Sequence, residues 1–179
     1  EQKAWSRRGL VIGDVQSGKT STYIGLIDKA IDVGYNVVIL LTGNTEALRA
    51  QTQERVDSGV VGRDSSRNQV GEKIASHLIG VGKLLDSTAK LDSMTTQVSD
   101  FRKSSREAVN TIPGSEKVVV FVTKKNKTVL TQIRRWFEQR MPPDTKSPLP
   151  LLLIDDESDY ASINTKADDD DPTAINRAI

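Results

Sequence analysis

Eight consecutive residues, Gly13-Asp14-Val15-Gln16-Ser17-Gly18-Lys19-Thr20, match the pattern G-x-x-x-x-G-K-[ST] at every position. Glycines at this spacing let successive backbone N–H groups curl around a β-phosphate. A helix opening at the last of them adds its partial positive charge. Lys19 is then a point charge for the β- and γ-phosphates, and the Thr20 hydroxyl is a ligand for Mg²⁺. All eight residues are candidate nucleotide contacts, and ATP with Mg²⁺ is the expected cofactor.

A phosphate loop needs a partner that holds the metal. The apolar run Leu151-Leu152-Leu153-Ile154 is bounded by a proline-rich connector and followed at once by Asp155, Asp156, Glu157 and Asp159. Carboxylates at the end of a buried parallel strand lie in the crevice where open α/β sheets bind ligands. Asp156 is the candidate to hold Mg²⁺ through its water shell. Glu157, with Lys19, is the catalytic candidate, orienting or deprotonating the attacking water. Adjacent residues of an extended chain point to opposite sides, so only one of Asp155 and Asp156 can face the metal. The reading favours Asp156, because Asp156-Glu157-Ser158-Asp159 has the D-E-x-D form of superfamily-two helicases. Asp155 would then face the helix layer or cap the turn.

Four strand–helix units can position these groups. A first strand at about Gly9 to Ile12 leads into the phosphate loop and a helix from Lys19 to about Val33, ended by Gly34. A second strand spans Val37 to Leu41, and Asn44 or Thr45 caps a helix to about Val56. A third spans Val118 to Val122, followed by a helix from Asn126 to about Arg140 with Val129, Leu130, Ile133, Trp136 and Phe137 on one face. The fourth is Leu151 to Ile154. Strands alternating with helices imply an α/β fold: a RecA-like P-loop NTPase domain with a mostly parallel sheet, helices on both faces and right-handed crossovers. Residues 59–116 carry no clear period and read as an insertion or variable region, and Pro172 starts a terminal helix.

The bulk numbers agree with one such domain. The chain has 179 residues, no cysteine and no apolar run of membrane-spanning length, so a cytoplasmic protein with no membrane partner is expected. Net charge is +1, but residues 155–171 hold eight acids and one lysine, leaving +8 on the remainder. Positive charge outside an acidic metal site suits a protein that tracks DNA phosphates. His77 is the chain's only histidine, and a structural role is expected for it. The chain starts at Glu1 and stops at Ile179 within an apparent helix, so it reads as a fragment of a longer protein.

Two stretches at the same sheet rim could grip double-stranded DNA through its phosphates. One is Thr42, Gly43, Asn44, Arg49 and Gln51, with Gln53 and Arg55 beyond. The other is Thr123, Lys124 and Lys125, continuing to Asn126 and Lys127.

Several phrases together resemble one family. They are the phosphate loop, Leu48-Arg49-Ala50-Gln51-Thr52-Gln53-Glu54-Arg55, Lys124-Lys125-Asn126, and Ile154-Asp155-Asp156-Glu157-Ser158-Asp159-Tyr160-Ala161-Ser162-Ile163-Asn164-Thr165. The chain is similar to the Z-one domain family, endonuclease-labelled domains that are superfamily-two helicase-like NTPases of bacterial restriction systems. The likeness is good at both ends and poor across 59–116, save for Thr95 to Phe101. It implies that residues 1–179 form the first RecA-like lobe of an ATP-driven motor or switch. Such a motor works with a separate nuclease subunit and a modification enzyme. Lys19, Thr20, Asp156 and Glu157 carry over directly. The family continues with a Thr-Ala-Thr-Pro segment and a second lobe that supplies an arginine finger. The fragment alone is therefore expected to turn nucleotide over slowly or not at all. No nuclease constellation is visible. Two other classes stand beside the motor: a nucleotide-gated interaction module controlling a nuclease without translocation, and a kinase-like P-loop enzyme. The D-E-x-D phrase and the lack of an acceptor lid argue against the kinase.

Overall fold

The structure is a computed structural model that describes residues 7–12, 18–67, 77–84, 91–102, 117–141 and 149–158. Four strands form one all-parallel sheet: β1 (Val37–Thr42), β2 (Leu91–Ser93), β3 (Val118–Lys124) and β4 (Leu151–Asp155), in the order β2-β3-β1-β4. The helices are α1 (Lys19–Asp32), α2 (Glu46–Val56) and α3 (Lys127–Arg140).

Burial explains why these apolar runs are strands. All six residues of β1 are buried, as a central strand covered on both faces requires. Its side chains divide by alternation. Val38 and Leu40 join Val118, Val120 and Val122 under Tyr23 and Ile27 of α1 and Val56 of α2. Val37, Ile39 and Leu41 join Val119 and Phe121 on the opposite face, under Leu130, Ile133 and Trp136 of α3. Helices thus cover both faces, α1 on one and α3 on the other.

Local signals set the helix ends. Thr45 accepts a hydrogen bond from Leu48 N at 3.2 Å, and Asn126 accepts from Thr128 N at 2.9 Å, each satisfying an orphan amide of a first turn. Gly34 follows α1 at φ 97, a left-handed conformation that residues with a Cβ avoid.

Two sequence expectations change. Residues 9–12 form no strand; Leu10, Val11 and Ile12 are 77%, 64% and 87% exposed. The handedness of crossovers says where such a strand belongs. The link from β3 through α3 to β4 crosses one face, and the link through α1 into β1 crosses the other. Right-handed connections over opposite faces run in opposite directions. A strand entering α1 therefore belongs on the β4 side of β1, where Leu151 and Leu153 of β4 are 43% and 38% exposed. The second change concerns 59–116. Its described part is integral to the domain: β2 extends the sheet, and Met94 and Phe101 are core residues. The terminal helix expected after Pro172 and the connector residues 142–148 lie outside the described residues.

The α3 face is closed by aromatic packing. Trp136 is fully buried, with ring centroids 5.7 Å from Phe121 and 5.1 Å from Phe137 in edge-to-face geometry. Trp136→Ala is expected to lower the unfolding free energy by about 4 kcal/mol in urea titration, from lost transfer energy and the cavity left behind. A loss below about 1 kcal/mol would mean that α3 does not seal this face.

Candidate nucleotide site

The pairing register sets the rim. Leu41 of β1 is level with Asp155 of β4 and Thr123 of β3, and Thr42 is level with Lys124. The carboxyl ends of three strands therefore stop together. Gly13 to Ser17, the first five residues of the phosphate loop, lie outside the described residues. Gly18, described, sits in a left-handed conformation (φ 81) as the N-cap of α1, with Lys19 exposed and Thr20 half-buried behind it.

The first turn of α1 meets the end of β4 through Tyr23. Burial pushes the Tyr23 phenol up from its ordinary value, and the nearby Asp156 carboxylate adds to the rise. The hydroxyls of Thr20 and Thr52 and the charge of Arg55 oppose it. Arg55 Nη1 also donates to Thr20 Oγ1 at 3.0 Å. A threonine oxygen has two lone pairs, so this bond leaves one for another partner. The Tyr23 hydroxyl, buried with its residue 8% exposed, has no aligned hydrogen-bond partner among the described residues. Tyr23, Thr20 and Asp156 thus share one polar neighbourhood at the head of α1. Among the described residues no group of three metal-ligating side chains occurs. Magnesium carried on phosphates needs only one or two protein ligands, the number that Thr20 and Asp156 would supply.

The acidic turn separates the carboxylates as alternation requires. Asp155, the last residue of β4, points toward Lys125, whose Nζ lies 2.8 Å from Oδ1, a charge contact rather than an aligned hydrogen bond. Asp156 N donates to Leu41 O at 2.9 Å, tying the turn to β1, and its Oδ1 accepts from Glu157 N at 3.1 Å. Glu157 has φ 55, the single non-glycine residue with positive φ among those described. That conformation costs about 1 kcal/mol and persists only where the surroundings impose it. The Glu157 carboxylate lies over Gly43, where a β-carbon would run into its Oε2.

The proposed DNA contacts divide sharply. Asn44 and Gln51 are exposed. Lys124 is partly exposed and paired with Glu46 at 2.7 Å. Thr42 is buried and donates to Thr123 O at 3.3 Å, while Thr123 and Gly43 are also buried. Arg49 and Lys125 are corrected outright: both side chains are 0% exposed. Arg49 donates to Gln97 O at 3.0 Å, to Val122 O at 3.5 Å and to Glu46 at 2.5 Å. Its guanidinium satisfies carbonyls at the sheet's end instead of facing solvent.

Arg49 belongs to a buried polar network that the sequence did not reveal. Gln53 donates to Asp57 Oδ1 at 2.8 Å and to Ser93 at 3.0 Å, and accepts from Thr95 at 2.7 Å. Thr95 Oγ1 in turn accepts from Val122 N at 2.9 Å. Asp57 opens a π-helical turn, Asp57–Val61, and accepts from both the amide and hydroxyl of Ser65. Burial raises its carboxyl above the usual range, and these hydrogen bonds only partly offset that. Gln53 and Asp57 sit at i and i+4, a spacing that would have been the sequence signal for this network.

Arg49→Ala is expected to destabilise the domain by about 3 kcal/mol, since it leaves a cavity and buried carbonyls without donors. A change within about 0.5 kcal/mol, as typical surface sites give, would return Arg49 to the exposed face.

Compared with protein-family models, curated proteins and solved structures, the chain finds no match in any of the three.

Proposed function

We propose that this chain is the nucleotide-binding lobe of a superfamily-two helicase-like, DNA-dependent ATPase that serves a restriction or antiviral system. The observation that carries the reading is the neighbourhood of Thr20, Tyr23 and Asp156, with Glu157 held beside it on the same rim. The intact loop pattern and the D-E-x-D phrase support it from the sequence.

Bound magnesium nucleotide would supply the phosphoanhydride to be cleaved and the charge that draws oxygen ligands. The chain's own residues do the rest. Lys19 holds its ammonium at the loop where γ-phosphate charge grows. Thr20 and Asp156 would hold the hydrated cation through a hydroxyl and a carboxylate, and Glu157 would orient the attacking water or take its proton. The family assignment, the cytoplasmic setting and the nuclease and modification partners rest on the sequence phrases. No described helix is long and apolar enough to cross a membrane.

A second reading, a nucleotide-gated module that controls a nuclease without translocating, gains weight from one observation. Among the candidate DNA-gripping residues, Thr42, Gly43, Arg49, Thr123 and Lys125 are buried rather than offered to a duplex.

Lys19→Ala in the full-length protein is expected to cut DNA-stimulated ATP hydrolysis at least about 100-fold; turnover at the parental rate would remove the mechanism. Displacement of a triplex-forming strand separates motor from switch, since only a translocating assembly strips it. Gly43→Ala tests Glu157 separately. It displaces a flexible carboxylate, so stability should change by less than about 1 kcal/mol while turnover falls about tenfold or more. Full activity in a well-folded Gly43→Ala protein would show that the position of Glu157 is immaterial.

A further inference from the structure

Lys125 sits in the turn between β3 and α3, and its side chain is fully buried. An ammonium is placed there at a high desolvation cost, which a specific partner set must offset. Two partners are on the acidic turn. Nζ lies 2.8 Å from the Asp155 carboxylate and donates to the main-chain carbonyl of Glu157. The second contact is the informative one, because residue 157 has the left-handed backbone. A charged donor on that carbonyl holds the peptide in an orientation that an L-residue would otherwise leave. With the backbone fixed in this way, the Glu157 side chain is carried back over Gly43, which has no β-carbon to block it. One cation thus does two things. It neutralises the carboxylate that the metal does not use, and it fixes the direction of the one assigned to water.

We propose that Lys125 is a positioning residue that sets Glu157, with no direct contact to nucleic acid. The inference deepens the ATPase reading and rests on it for its activity readout. In the full-length protein, Lys125→Met should keep magnesium-ATP affinity within about threefold while turnover falls about 100-fold, the phenotype expected of Glu157→Gln. A merely structural lysine would alter both constants together. Lys125→Met/Asp155→Leu removes both charges, so no unpaired ion remains to unfold the domain. Its turnover should also be low with affinity kept. Parental turnover in either variant, with Glu157→Gln inactive, would overturn the proposal.

A second measurement stands even if the parent hydrolyses no ATP, the outcome that would sink the functional reading alone. Glu157→Gly removes the conformational penalty only where the tether enforces it. It should raise the melting temperature by about 2 °C in the parent and leave it unmoved in Lys125→Met/Asp155→Leu. Equal shifts in the two backgrounds would mean that Lys125 does not hold this backbone.

Discussion

The parallel register of β1 against β3 and β4 is the constraint from which the rest follows. Ladder hydrogen bonds place Leu41 level with Asp155 and Thr123. Because side chains alternate, that register sends Leu152 and Ile154 to the α1 face and Asp155 to the α3 face with Lys125. Asp156 then emerges toward Tyr23 and the head of α1. A slip of one residue would exchange the two carboxylates, giving Lys125 to Asp156 and leaving Asp155 beside Thr20. Strand pairing therefore decides which of the adjacent aspartates faces α1 and which faces Lys125.

Around that rim the protein spends polar groups on holding itself. α2 carries Arg49, Thr52 and Gln53 on a buried face, with Thr45 and Glu46 at its head. Arg49 and Gln53 bind the 93–97 segment, and Arg49 also reaches Val122 O. The strand-end carbonyls and the 93–97 turn need donors and acceptors that apolar side chains lack. The result is a helix whose polar residues specify how the 93–97 segment docks on the sheet. Arg55, at the other end, reaches Thr20. One helix therefore links Thr20, at the head of α1, with carbonyls near the end of the sheet.

The parts legible in the sequence were those governed by short-range rules. Val37 to Leu41, Val118 to Val122 and Leu151 to Ile154 are continuous apolar runs, and each lies within a strand, which runs on one or two residues further. Thr45, Asn126 and Gly34 acted as helix punctuation because caps depend on nearest neighbours. Side-chain direction at the rim was not legible. Arg49, Thr123 and Lys125 read as solvent-facing because burial of polar groups depends on carbonyls and carboxylates far away in sequence. Residues 59–116 resisted for the same reason. β2 is three residues long and gains its identity only from β3, while the buried polar segment around Thr95 has no hydrophobic period. The Gly9–Ile12 run failed differently: it has the composition of a strand, but strandhood needs a ladder partner, and none of the described residues provides one.

The outer side of β4 has one more implication. From 151 to 154 it carries three leucines and an isoleucine, with none of the lysines, prolines or bulges that usually guard a terminal strand. Among the described residues no strand pairs with that edge, and its amides and carbonyls form a template that an extended apolar segment can extend, including the same strand of a neighbouring molecule. Left open, such an edge favours self-association by sheet extension, the failure to guard against during purification.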